Sequence, residues 1–296
     1  MSGRVAISGA NGFIGRHLCA HFTGRGWDVR ALVRNPESVR FADERIEVFR
    51  CDLPDRVDEA ALADVDAVVH CAYSTRPESP AEASAVNEQG TERLHALSRA
   101  AAVDRFVFLS STAAHEGALS HYGRSKLELE QRLDLDRDSV VRAGLVIGSG
   151  RGGLFPRMVG WLRGARLAPV IDGGHQILQT VYVEDLCGGI ERVIVSGDSG
   201  RRVLAETEGL PIRAFFRLVA DRLEIRCRLV PVPGTPAVIG LRLAERLRIP
   251  LPISSENVLG LRSLRHQDSA ADLAALGIEA RPARQSLRLV LGPAQE

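Results

Sequence analysis

The chain has 296 residues, room for one large α/β domain or a domain with a small appendage, and its 38 basic and 37 acidic side chains leave a net charge of +1. No global field therefore favours nucleic acid or a membrane surface, and no apolar run reaches the ~18 residues needed to span a bilayer. Five scattered cysteines (Cys19, Cys51, Cys71, Cys187, Cys227) without a CxxC pair fit buried thiols in a reducing cytoplasm better than a disulfide frame or a zinc site.

Arg4 to Ser8 is a short apolar run that predicts a strand. Gly9-Ala10-Asn11-Gly12-Phe13-Ile14-Gly15 follows, and then a helical pattern to about Arg25. A strand passing through a glycine turn into a helix is the setting of a dinucleotide-binding loop: the glycines admit a pyrophosphate to the backbone, and the helix N-terminus supplies amide donors. The second strand, Asp28 to Val33, ends at Arg34, with no acid until Glu37. A carboxylate at this point would hold the ribose 2′-hydroxyl of NAD, whereas an arginine accommodates the 2′-phosphate of NADP. Arg34, helped by Arg16 or Arg40, points to NADP, with NAD as the alternative.

A third strand over 46–49 delivers Asp52 and Leu53, the acid placed to accept from an adenine amino group. Residues 66–72 (DAVVHCA) predict a buried parallel strand whose tip, Cys71 and Ala72, touches the cofactor; His70 within it reads as a satisfied core histidine. A helix over about 83–101 carries Asn87, and a fifth strand from Arg105 opens into Ser110-Ser111-Thr112, hydroxyls at the edge where open sheets bind substrates.

The chain's one lysine, Lys126, stands four residues after Tyr122, one of three tyrosines, in a chain with 37 arginines. The helix formers after it predict a helix over about 119–133, on which the two side chains share a face. A cation beside a phenol favours the phenolate and lowers its pKa, making the tyrosine an acid or base usable near neutral pH. A compact ammonium does this differently from a broad guanidinium.

GANGFIG, Asp52-Leu53, VHCA, Asn87 in VNxxGT, the Ser110-Ser111 strand end and YGRSK, in this order and spacing, resemble the extended short-chain dehydrogenase/reductase family, which includes sugar-nucleotide epimerases and dehydratases. The resemblance covers roughly residues 3–186. It implies a Rossmann-type doubly wound parallel sheet with a small C-terminal α/β substrate lobe: residues 1–148 plus about 179–208 bind the dinucleotide, and about 149–178 and 209–296 form the lobe. It also implies Tyr122 as acid/base, Lys126 as its pKa modifier and ribose contact, Ser111 as partner of the reacting oxygen, and Gly9, Asn11, Gly12, Phe13, Ile14 and Gly15 as the pyrophosphate loop. A homodimer paired through the helices near 83–101 and 119–133 is a further implication.

Past the lysine helix, residues 138–147 predict a sixth strand and 154–162 a helix. Residues 179–186 predict a strand and helix start, with Asp185 read as a helix cap. Short elements broken at Pro231, Pro233, Pro250 and Pro252 complete the chain. Relatives that grip a nucleotide-sugar diphosphate carry an asparagine where Leu145 stands and an arginine near Leu178-Gln179. Ala113-Ala114 follow the hydroxyl pair where the dehydratases carry Asp-Glu. These departures argue against dehydration and count against a nucleotide sugar, which stays the alternative to a small carbonyl or alcohol substrate. The expected activity is NAD(P)-dependent hydride transfer, as epimerase or reductase. The C-terminal part is also similar to the branch that includes a nucleotide-binding accessory subunit of respiratory complex I, so the competing reading is a non-catalytic NAD(P)-binding assembly or sensor protein. The intact Ser111, Tyr122 and Lys126 set argues against it.

Overall fold

The computed structural model describes residues 3–74, 80–150, 152–249 and 253–292; Pro250 and Pro252 lie outside them. The strands are β1 Arg4–Ser8, β2 Asp28–Val33, β3 Ile46–Asp52, β4 Arg56–Val57, β5 Ala67–His70, β6 Arg105–Ser111, β7 Ser139–Ala143, β8 Leu145–Ile147, β9 Leu167–Ile171, β10 Ile177–Leu178, β11 Thr180–Tyr182, β12 Gly200–Leu204, β13 Leu210–Pro211 and β14 Arg228–Val232. The helices are α1 Phe13–Gly24, α2 Pro80–Ser84, α3 Gly90–Ala100, α4 His121–Gln131, α5 Leu154–Ala165, α6 Val183–Ser196, α7 Ile212–Arg222, α8 Gly234–Arg246, α9 Ser255–Arg262, α10 Ala270–Leu276 and α11 Ala283–Leu291.

Eight strands form one sheet in the order β12-β7-β6-β5-β1-β2-β3-β4. The pairs β1·β2, β1·β5, β2·β3 and β5·β6 are parallel, and β4 folds back antiparallel on β3. The central strands are buried on both faces, as their continuous apolar runs require. Sequence order reverses at β1, which lies between β2 and β5. Open α/β sheets bind ligands beyond the strand ends at this kind of reversal.

The chain divides into two compact units, Met1–Leu109 with Leu129–Val141 and Leu186–Arg202, and Ser110–Glu128 with Arg142–Asp185 and Val203–Glu296. The first unit packs Ala6, Leu32, Val68, Leu94 and Phe106 around the sheet. The second has its own core of Phe155, Leu162, Ile212, Phe215, Val219 and Leu287.

Three local expectations change. The single strand over 138–147 is two strands that part at Gly144. A Cβ there would sit 2.7 Å from the Gln179 carbonyl, so only glycine lets the chain step from the large sheet into the β8·β11 pair. The helix over 83–101 contains a π-turn at Ala85–Gln89 between α2 and α3. The lysine helix begins at His121 because Ser120 stands before it and its hydroxyl accepts from the Gly123 amide at 3.2 Å.

Candidate functional site

In the first unit, β1 runs into Gly9, whose φ of +66° belongs to the left-handed region, and the chain turns into α1 with Gly12 as its N-cap. A Cβ on Gly9 would sit 2.9 Å from Ala72 Cα and N, and one on Gly15 would collide with the Gly9 carbonyl and lie 2.7 Å from Ala10 Cα. The loop is thus drawn tight against the strand-end residue Ala72. No side chain caps α1, and no acid stands in its first turn. An uncapped helix end behind bare glycine backbone suits an anion, so the residues present fit a dinucleotide pyrophosphate. Gly15→Ala should raise the Kd for NAD(P)H at least about tenfold, read by fluorescence titration, because the loop must shift to admit the methyl.

Beneath this loop His70 is fully buried. Its Nδ1 lies 2.6 Å from the Ser8 hydroxyl and its Nε2 2.8 Å from the Thr91 hydroxyl. The Ser8 oxygen already accepts from the Cys71 and Ala72 amides, so its own proton goes to Nδ1 and His70 carries its hydrogen on Nε2. The histidine is a satisfied core residue that helps hold the strand tip. Asn87 is also structural: it clamps the backbone of Ser74, accepting from its N–H at 2.6 Å and donating to its carbonyl at 3.1 Å.

Among the other cofactor candidates, Asn11 and Gly12 are exposed, and Phe13, Ile14, Cys71 and Ala72 half-buried. The Asn11 carbonyl accepts from Arg16 Nε at 3.1 Å, and the Arg16 guanidinium lies over the Phe41 ring. Arg34, exposed just past β2, has its Nε 3.9 Å from the carboxylate of Asp52, which ends β3. Arg40 donates to the backbone carbonyls of Glu37 and Val39. Leu53 packs its side chain into the core, where a Cβ on Gly90 would touch it, so only its backbone remains for a ligand. Cys19 and Cys51 are buried thiols with pKa values pushed up to about 12 by burial; none of the five cysteines forms a disulfide.

In the second unit, β6 ends at Ser111, whose hydroxyl hydrogen-bonds Tyr122 and accepts from the Ala113 amide at 3.2 Å. Gly123 makes this meeting sterically feasible: a Cβ there would lie 2.5 Å from the Ala113 carbonyl and 2.9 Å from the Ala118 methyl. Lys126 lies one turn along α4 and is 3% exposed. The Tyr122 pKa moves opposite to the sequence expectation. Burial raises it above 10, opposed by the Ser111 hydrogen bond. The fold therefore keeps this phenol protonated.

The segment after α9 encloses the same loop. His115 Nε2 lies 2.8 Å from the Ser263 carbonyl, a Cβ on Gly117 would press on Arg265, and the Gln267 side chain donates to the Thr112 carbonyl. Gln179 fixes that segment: its Nε2 donates to the carbonyls of Glu206 and Gln267 at 2.8 and 2.9 Å, and its Oε1 accepts from the Gln267 amide at 2.7 Å. Asp185, expected as a helix cap, instead accepts from the backbone amide and guanidinium of Arg281.

Residues 5–204 match the model of the NAD dependent epimerase/dehydratase family. The chain belongs to that family. It is accordingly an NAD(P)-dependent enzyme of the extended short-chain dehydrogenase/reductase type, with the hydride-transfer chemistry of an oxidoreductase or epimerase. Among family relatives, the ceramide reductase of Caulobacter vibrioides is 35% identical over 272 residues, covering 83% of this chain and 84% of that one. A 4-hydroxy-2-methyl-3-oxo-4-farnesyl-3,4-dihydroquinoline-1-oxide ketoreductase of Stigmatella aurantiaca is 26% identical over 275 residues, covering 82% and 80%. The solved structure of MoeE5 with UDP-glucuronic acid and NAD superposes with a TM-score of 0.76 at 21% identity over 98% of each chain, a likeness of fold.

Proposed function

We propose that this enzyme reduces the ketone of an apolar small molecule with NADPH, and that Ser111, Tyr122 and Lys126 carry the chemistry. The observation that carries the reading is the Ser111–Tyr122 hydrogen bond on a phenol whose burial keeps it protonated, one helical turn from a buried lysine. A protonated phenol is the form that reduction requires. Ser111 holds the carbonyl oxygen, Tyr122 gives it a proton as negative charge develops there, and Lys126 steadies the phenolate left behind until solvent returns a proton. Bound NADPH supplies the hydride that the carbonyl carbon accepts.

The loop Gly9, Asn11, Gly12, Phe13, Ile14 and Gly15 would hold the pyrophosphate, Asp52 the adenine, Lys126 a ribose, with Cys71, Ala72 and the Leu53 backbone alongside. In this division of labour, 1–148 with 179–208 serve the dinucleotide, and 149–178 with 209–296 read the substrate in a cytoplasmic protein. Two relatives named for ketone or ceramide reduction support an apolar substrate. So does the state of the two positions where a diphosphate would be gripped. Gln179 is 3% exposed with its amide spent on Glu206 and Gln267, and Leu145 packs against the second core. Arg157, Arg163 and Arg166, the cations on or beside α5 that could replace that grip, are exposed, as on a solvated helix face. Consumption of NADPH with long-chain ketones, set beside NAD-supported turnover of nucleotide sugars, tests the reading. Activity confined to the nucleotide sugars would make the enzyme an epimerase.

Arg34 is the proposed NADP selector. Arg34→Ala is expected to raise the KM for NADPH about tenfold and leave that for NADH unchanged, since one charge-assisted contact to the 2′-phosphate is lost. An equal effect on both cofactors would remove it from that role. Two copies paired through α3 and α4 belong to the same proposal, and light scattering from a 32.1 kDa particle at micromolar concentration would refute the pairing.

A further inference from the structure

Helix α8 is apolar on two opposite sides. Its inner side places Val238 and Leu241 against Ile171 and Val258. Its outer side carries Ile239, Leu243 and Leu247 at i, i+4 and i+8, exposed by 64, 58 and 62%, and Ile249 beyond the helix end is 50% exposed. Single exposed aliphatics need no explanation, but a row of three along the helix with a fourth just past its end does. Arg242, Arg246 and Arg248 are exposed in the same segment. At 100° per residue, Arg242 and Arg246 stack one turn apart along one flank of the aliphatic row. The segment's acid, Glu245, is committed elsewhere, accepting from the Ser255 amide at 2.6 Å and its hydroxyl at 2.8 Å at the start of α9. Aliphatics and cations thus lie together in this segment, and the one carboxylate of residues 234–249 is engaged with α9.

We propose that this face of α8 docks onto an anionic phospholipid surface. Aliphatic side chains lying parallel to a bilayer sink into the boundary between headgroups and acyl chains, while arginines beside them meet lipid phosphates, for which the guanidinium fork is well shaped. The charge complementarity is local. A net charge of +1 spread over the whole chain draws nothing to a membrane, but three arginines within seven residues do. The patch also bears on the active-site helix: the Glu256 carboxylate, one residue into α9, accepts from the His121 amide at the start of α4, which carries Tyr122. If the proposed apolar substrate holds, docking brings that helix to where such ketones dissolve. The docking itself rests on the helix face and not on the substrate.

The test uses the full chain and sedimentation with vesicles, measured without turnover, so that its failure and a failure of the ketone assignment stay separate. Vesicles of phosphatidylcholine alone are compared with a three-to-one mixture of phosphatidylcholine and phosphatidylglycerol. The wild type is expected to sediment with the mixed vesicles and to be released by high salt. Arg242→Gln/Arg246→Gln/Arg248→Gln should weaken partition by roughly fivefold per arginine. Leu243→Ser/Leu247→Ser, changes at exposed positions whose circular dichroism should match the wild type, should abolish it. Wild type that stays in the supernatant, or a leucine variant that sediments unchanged, overturns the proposal. So does a dimer that Leu243→Ser/Leu247→Ser splits into monomers while no form binds vesicles, which would assign the face to a second copy.

Discussion

Replacing Tyr122 by Phe is expected to lower kcat for ketone reduction by on the order of 10²–10⁴, the range a positioned general acid contributes, while the Kd for NADPH holds within about twofold. The substitution removes one oxygen from a half-buried side chain and leaves the ring, so α4 and the Gly123 approach are preserved. What goes is the proton donor and the hydrogen bond with Ser111. Because burial raises the phenol's pKa above its ordinary value of 10, the protonated form persists across the neutral range. Reduction through this group should then stay level from about pH 6 to 9 and decline only in more alkaline solution, with alcohol oxidation rising as reduction declines. Equal activity of wild type and Tyr122→Phe would remove Tyr122 as the acid/base and leave the chain a nucleotide holder.

The expectation of an acidic phenol came from spacing alone. Four residues on a helix do place Tyr122 and Lys126 along one face, and the sequence shows that much. It does not show how the packing around Tyr122 desolvates the phenol, and desolvation is the larger influence here. The parallel strands and the glycine turn were legible because their signals are local: apolar runs of four to seven residues, and glycines at positions where a Cβ would strike backbone. The break at Gly144 was not, since an apolar run reads as one strand whether or not it changes sheets. Nor was the part of Gln179, whose partner Gln267 lies 88 residues away, or of Glu206, which meets residues 26 and 77 positions distant. A buried carboxylate amid LAETEGL carries no sequence sign of what it will hold.

That carboxylate is where the largest loss of stability is expected. Glu206 is 6% exposed and serves as a hub: Oε1 accepts from the Thr180 amide at 3.0 Å and its hydroxyl at 2.8 Å, while Oε2 accepts from the Ala283 amide at 2.9 Å. Thr180 opens β11, and Ala283 is the first residue of α11, whose N-cap Pro282 offers no side-chain cap. One side chain thus ties a strand to a helix start and takes an otherwise orphaned helical N–H. Glu206→Ala removes every acceptor at once and leaves two backbone donors and a hydroxyl without partners, at about 1–3 kcal/mol each when buried. A total loss of about 3–5 kcal/mol, read as a fall in Tm on the order of 10 °C, is the expected result. Glu206→Gln keeps one acceptor oxygen but turns an NH₂ toward the remaining donors, so it should fall between. A Tm for Glu206→Ala within about 2 °C of wild type would mean that water replaces the carboxylate, and that α11 holds its place through Leu287 and its apolar neighbours alone.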